Sequence, residues 1–246
     1  MSEAPAPSAS PALPLVAVLL AFLSGFVDTA AFIHMKGLFV AHVTGNFVLL
    51  GAALASGGAI AGKGPEVLQL AALPVFFLAA MLTGALGARL PRILWSAALL
   101  MLAVAGASAW LGAGPWDAAS AVVLIAAMGM LNAAHRLNPA MGPPFAVMTG
   151  NVAALAIRTA QILHLAPAAP ASGAEGKMLR AVIAFAAGCA GGALAQAWLG
   201  LAAVGLPALL LAGALLFKRG CPPVLAPAAP ILRQSAPHMR VPSNCL

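Results

Sequence analysis

Eight nearly uncharged stretches of between 17 and 22 residues run through this chain of 246 residues, at about 13–33, 38–57, 67–88, 92–112, 118–135, 144–164, 179–199 and 201–217. Each approaches the roughly 20 apolar residues that an α-helix needs to cross the hydrocarbon core of a bilayer. Backbone in hydrocarbon must satisfy its own hydrogen bonds, and for runs of this length the helix is the form that does so. The fold class that follows is all-α: a polytopic membrane helix bundle of 6 to 8 apolar segments. Composition agrees, with 63% apolar and 7% charged residues against about 45–50% and about 25% in soluble domains. The formal charge of +7 would suit nucleic acid if it were clustered. The 12 Lys and Arg instead stand singly between apolar runs, so the expected partner is the lipid bilayer, with no nucleic acid.

Cys189, Cys221 and Cys245 have no C-x-x-C spacing, and His135, His164 and His238 have no partner at metal-ligand spacing, so neither a disulfide framework nor a metal site is expected. The first dozen residues, 1–12, are rich in Pro, Ala and Ser and contain Glu3 but no Lys or Arg. A cleavable signal peptide is therefore not expected there, and the segment reads as a disordered tail. The Pro-rich stretch 220–246 also reads as disordered.

The chain matches itself at an offset of 104 residues. Gly25-Phe26-Val27-Asp28 falls on Gly129-Met130-Leu131-Asn132, Gly84 on Gly188, and Ala88 on Gly192; with a one-residue gap, Thr44-Gly45-Asn46 falls on Thr149-Gly150-Asn151. These matches predict two membrane repeats, 13–112 and 113–219. Charge then orders them. Arg89 and Arg92 should be cytoplasmic, as should Lys218 and Arg219, yet five apolar segments lie between the two pairs. An odd number of crossings cannot connect two points on the same side. If the two TGN segments enter and leave on one side, Arg89, Arg92, Arg136, Arg158, Lys177, Arg180, Lys218 and Arg219 all become cytoplasmic, and only Lys36 and Lys63 lie outside. Each half then has three crossings, which makes the repeats inverted.

The residues of the TGN segments fit such a break. Gly costs about 1 kcal/mol in a helix, and Thr and Asn compete for backbone hydrogen bonds, so TGN can end one element and cap the next. The following nine residues, Phe47 to Ala55, would make about 13.5 Å of helix, less than half of a core about 30 Å thick. The other reading keeps continuous helices, with Gly45 and Gly150 allowing close packing and Thr44, Asn46, Thr149 and Asn151 bonding across helices. Ala80, Gly84 and Ala88, like Ala184, Gly188 and Gly192, have small-x-x-x-small spacing and read as close helix contacts. Asn138-Pro139-Ala140 spells an aquaporin signature, but nothing around His34 to Lys36 repeats it, and it reads as coincidence.

Asp28 is the one acid well inside an apolar run, where insertion scales put its cost at about 2.5–3.5 kcal/mol. It can bind a cation or exchange a proton with His42, or it can act structurally as a helix cap or as the partner of Lys36. Its repeat equivalent is Asn132 and that of His42 is Val147, so only the first half can titrate. Asn132 also suggests that an amide is tolerated at position 28.

The stretches GFVDTAAF at Gly25, GLFVAHVTGNFVLLG at Gly37, GMLNAAHRL at Gly129 and FAVMTGNVAALAIR at Phe145 resemble the YoaK-like bacterial membrane proteins, a family catalogued as a domain of unknown function. The similarity covers about residues 13–217. It implies an integral, multi-pass protein of the bacterial cytoplasmic membrane and supplies no substrate. From the residues themselves the expectation is a channel or secondary transporter for a small solute or ion, with Asp28, His42, Thr44, Gly45, Asn46, Asn132, Thr149, Gly150 and Asn151 along its path. The alternative is a non-transporting scaffold or lipid-binding protein. No nucleophile motif, P-loop or dinucleotide loop occurs, so neither an enzyme nor a cofactor is expected. A homo-oligomer is left open.

Overall fold

A computed structural model of the chain describes residues 12–55, 66–87, 89–141, 144–145, 148–168, 170 and 173–218. Lys63, Ala88, Val147, Arg219, Cys221, His238, Cys245 and nearly all of both tails lie outside the described residues. The elements are α1 (Ala12–His34), α2 (Gly45–Ala55), α3 (Glu66–Ala85), α4 (Leu90–Leu111), α5 (Asp117–Leu137), α6 (Met148–Ile162), α7 (Glu175–Leu199) and α8 (Gly205–Lys218), with 3-10 turns at Pro139–Met141 and Gly200–Val204. The described residues contain no strand. Five stretches are long and apolar enough to cross a membrane: Leu15–His34, Val67–Ala85, Leu90–Leu111, Asp117–Leu137 and Glu175–Phe217. The chain is a multi-pass helical membrane protein. The last stretch includes α7, the turn Gly200–Val204 and α8. At Gly200, φ is 58°, and the buried turn leads α8 back against α4 and α1.

The two TGN segments are shorter helices than the apolar runs that contain them. α2 has 11 residues and α6 has 15, about 16 Å and 22 Å at 1.5 Å per residue, both short of a core about 30 Å thick. Residues 35–44 are not helical. α1 stops where Lys36 takes a left-handed conformation, φ 55°, and the Gly37 N–H bonds back to the Phe32 carbonyl at 2.8 Å, the six-to-one bond that closes a helix C-terminus.

α1 and α7 form the most extensive helix pair. A Cβ at Gly188 would overlap the Phe22 carbonyl oxygen, and one at Gly192 would overlap that of Phe26. Each contact advances four residues along both helices, so α1 and α7 run parallel with their backbones touching. Glycine is required there for approach, as the spacing of Ala184, Gly188 and Gly192 suggests. The matching expectation for Ala80, Gly84 and Ala88 does not hold at Gly84, where a Cβ would meet nothing within 4 Å. The close contact of α3 is with Gly129 of α5, where a Cβ would lie 2.7 Å from the Phe76 carbonyl oxygen. Small-residue spacing marks a helix face able to approach a neighbour, but the neighbour has to be on that face.

Contacts at the helix ends orient the rest of the bundle. Nε2 of His34, in the last turn of α1, lies 3.2 Å from Oδ1 of Asp117, the first residue of α5. Gln69, near the start of α3, donates from Nε2 to the Gly37 carbonyl at 2.6 Å. The C-termini of α1 and α7 and the N-termini of α3 and α5 therefore share one end, and α4 joins them there through residues 112–116. Trp110, 88% exposed, and Trp198, 87% exposed, are at this end, with Trp116. The exposed Arg89, Arg92, Arg136, Lys177 and Arg180 are at the other. Tryptophan at a membrane interface and Lys or Arg on the cytoplasmic side are the two anchoring signals of membrane helices.

Candidate functional site

The residues after α1 fold back alongside it. Asp28 is six residues before the end of α1, about 9 Å along the helix axis, and its carboxylate holds the returning chain at that depth. Oδ1 accepts from the Val40 and Ala41 N–H groups, both at 2.7 Å. Oδ2 accepts from the His42 N–H at 3.1 Å and lies 2.6 Å from His42 Nδ1. Asp28 is 4% exposed, and these bonds offset the cost of burying its charge, since hydrogen bonds to charged groups are worth about 1.5–3 kcal/mol each. Of the structural roles open to it, Asp28 takes a form of capping, in which it closes a loop rather than its own helix. Lys36 is exposed and is not its partner.

Asn46, fully buried, fixes the same loop from the other side. Its Nδ2 donates to the Phe39 carbonyl and its Oδ1 accepts from the Phe39 N–H, both at 2.9 Å. The ring of Phe39 stacks at a tilt on Phe32, with centroids 4.7 Å apart, and lies against Gly45, where a Cβ would come within 2.8 Å of it. Gly45 therefore makes room for an aromatic ring. Thr44 is exposed at the start of α2. The His42 ring meets Phe185 of α7 edge-on at 5.2 Å.

The second TGN segment repeats part of this arrangement. Asn151 is buried, and its Nδ2 donates to the carbonyl of Pro144 at 3.2 Å. That carbonyl is seven residues back, the same separation as Asn46 to Phe39. Proline has no N–H to return the bond. Thr149 and Gly150 are exposed in the first turn of α6. Asn132 turns onto its own helix, with Nδ2 donating to the Met128 carbonyl at 2.9 Å. Phe145 is buried instead, edge-on to the His135 ring at 5.3 Å. Asn138 also bonds back, to the Ala134 carbonyl, and Pro139–Met141 is a single 3-10 turn.

The structure thus brings Asp28 and His42 together and sets Asn46 beside them on the same loop. Sequence reasoning did not single out Gln69, Phe39 or Phe185. Gln69 carries a legible signal, a lone amide in an apolar run. Phe39 and Phe185 carry none, because an aromatic residue in lipid-facing sequence is ordinary.

Residues 16–217 match a family described as "Protein of unknown function (DUF1275)". The chain belongs to that family. The matched region takes in α2 to α7 whole and all but the ends of α1 and α8, and it agrees with the extent of the YoaK-like resemblance. No curated protein and no solved structure matches the chain.

Proposed function

We propose that this protein is an inverted-repeat channel or secondary transporter of the bacterial cytoplasmic membrane, carrying a small solute or ion past the Asp28–His42 pair and the two TGN loops. The observation that carries this reading is the pair of short helices, α2 and α6, each with the TGN motif in or against its first turn and each with an Asn bonded to a carbonyl seven residues back. Broken backbone at membrane depth survives only when buried in protein or facing water. Discontinuous segments in matching positions of two halves are where secondary transporters place their sites.

Re-entry is supported by the ends of the two segments. Gly37 before the first loop and Gln69 after α2 touch each other. Arg158 of α6 lies 3.9 Å from Glu175 at the start of α7, at the end of the bundle where α5 finishes. Inversion is supported by the meeting of the C-terminus of α1 with the N-terminus of α5, and by the exchange of partners between halves, α1 with α7 and α5 with α3. Positive residues gather at the end opposite Trp110, Trp116 and Trp198, which supports a cytoplasmic N-terminus. The two halves, 13–112 and 113–219, then each contribute three crossings and one re-entrant helix, α8 completing its crossing with the turn Gly200–Val204 before it, within an apolar stretch, Glu175–Phe217, long enough to cross twice. No catalytic role is proposed for any residue.

Single cysteines at Ala55 and Leu165, in a background lacking Cys189, Cys221 and Cys245, test the topology. An impermeant maleimide should label position 55 and spare position 165 in intact cells, whereas eight crossings would protect both. For transport, proteoliposomes are assayed with a panel of ions, acids, amines and sugars. A protein that moves none of them and retains one lipid species through purification would be a lipid-binding protein instead.

A further inference from the structure

We infer that the atom meeting the transported species is Nε2 of His42, that the species bound there is a proton, and that Asp28 is a positioning residue rather than a cation ligand. The use made of that proton rests on the transport reading; the chemistry of the site does not.

The argument starts from the acceptor capacity of Asp28. A carboxylate offers about four lone-pair sites, and here the N–H groups of Val40, Ala41 and His42 and the Nδ1 of His42 occupy four. A sodium or potassium ion bound to Asp28 would displace one of these donors and leave it unsatisfied in a buried loop. The bond at Nδ1 also fixes the imidazole. With the proton of the neutral ring on Nδ1, facing the carboxylate, Nε2 is the nitrogen with the free lone pair. Among the described residues, the other contact of the ring is with Phe185, and no protein donor reaches Nε2. The side chain of His42 is 26% exposed against 6% for Asp28, so the histidine, not the acid, is open to the surroundings.

A single imidazole lone pair takes a proton readily and a metal ion only with help from further ligands. Among the described residues, no three His, Cys, Asp or Glu side chains converge. The charged group facing His42 from α1 is Asp28, and α7 presents Phe185. The other acid–base pair, His34 with Asp117, is at the end of α1, and Lys36 is exposed beyond it. Transfer of a proton from hydronium to Nε2 releases water and forms an N–H bond. It also converts a part-buried pair of charge −1 into a neutral imidazolium–carboxylate pair. Asp28 thus holds the loop, selects the tautomer and provides the countercharge.

The test is nitrogen NMR of the full-length protein in lipid vesicles with 15N-labelled histidine, the His42 signals being assigned by their loss in His42→Gln. The neutral ring should carry its proton on Nδ1, acidification should add one at Nε2, and sodium, potassium or magnesium at fixed pH should leave both signals unmoved. Asp28→Asn should mix the tautomers. If that variant fails to insert, the wild-type pH and cation titrations still decide. A neutral ring protonated at Nε2, or signals that follow a metal cation, would overturn the assignment. Proton movement into the vesicles, lost in His42→Gln, is expected; proton-tight vesicles with the Nε2 titration intact would refute transport and leave the site assignment standing.

Discussion

α2 and α6 carry the same three residues, Thr-Gly-Asn, in or against their first turns, and the loops that precede them are held by different physics. Residues 38–44 are gripped by side chains from three elements: Asp28 of α1, Asn46 of α2 and, just before them at Gly37, Gln69 of α3. Around Pro144 and Phe145, among the described residues, one hydrogen bond from the Asn151 side-chain amide and the burial of Phe145 beside His135 take that role. The amide seven residues from its carbonyl is common to both. Among the described residues the ionic clamp belongs to the first loop, and Asn132, aligned with Asp28 in the sequence, bonds to Met128 on its own helix. The repeated motif therefore preserves the bond from its Asn to the carbonyl seven residues back, and among the described residues the groups outside the motif determine how firmly each loop is held.

The largest expected effect comes from removing the clamp. Asp28→Asn has one carbonyl oxygen where the carboxylate has two, so at least one or two of the donors at Val40, Ala41 and His42 lose their acceptor, at about 1–3 kcal/mol each. Stability should fall by several kcal/mol, and hydrogen exchange should rise at residues 40–42 and stay unchanged in α6. Asn132→Ala should cost under about 1 kcal/mol. This pair of variants tests the expectation from sequence that an amide is tolerated at position 28, since Asn132 holds no loop among the described residues. Equal costs in the two variants would abolish the distinction between the loops.

Asn46→Ala comes next. It strands both the N–H and the carbonyl of Phe39 and should cost about 2–4 kcal/mol, against about 1–2 for Asn151→Ala, which strands one carbonyl. Thermal unfolding of the two variants in the same detergent measures the difference. Gly45→Ala should then cost about 1–3 kcal/mol by forcing a methyl group against the Phe39 ring, and Phe39→Leu in the same chain should recover part of the loss. No recovery would mean that Gly45 is required for its backbone and not for space. The smallest effect is a gain. Lys36 holds a left-handed conformation that costs a non-glycine residue about 1–2 kcal/mol, so Lys36→Gly should stabilise the first loop by about 1 kcal/mol or less, after the entropy glycine loses on folding. A loss in that variant would show that the lysine side chain itself anchors this end of the bundle.

The sequence by itself determined the membrane class, the positions of the apolar segments and the polar residues that interrupt them. The reason is that lipid admits few backbone solutions, and any charge or amide inside it stands out against an apolar background. The pairing of Asp28 with His42 was legible as one option because both groups are rare at that depth. The tertiary structure alone decided that Asp28 binds three successive backbone N–H groups, since backbone donors have no letter in a sequence. It also decided that Gly188 and Gly192 touch α1 while a Cβ at Gly84 would meet no neighbour among the described residues, because spacing gives the face of a helix and only packing supplies the helix opposite. The same holds for His34 and Asp117, 83 residues apart: their contact exists only because α1 and α5 place a C-terminus and an N-terminus at the same end.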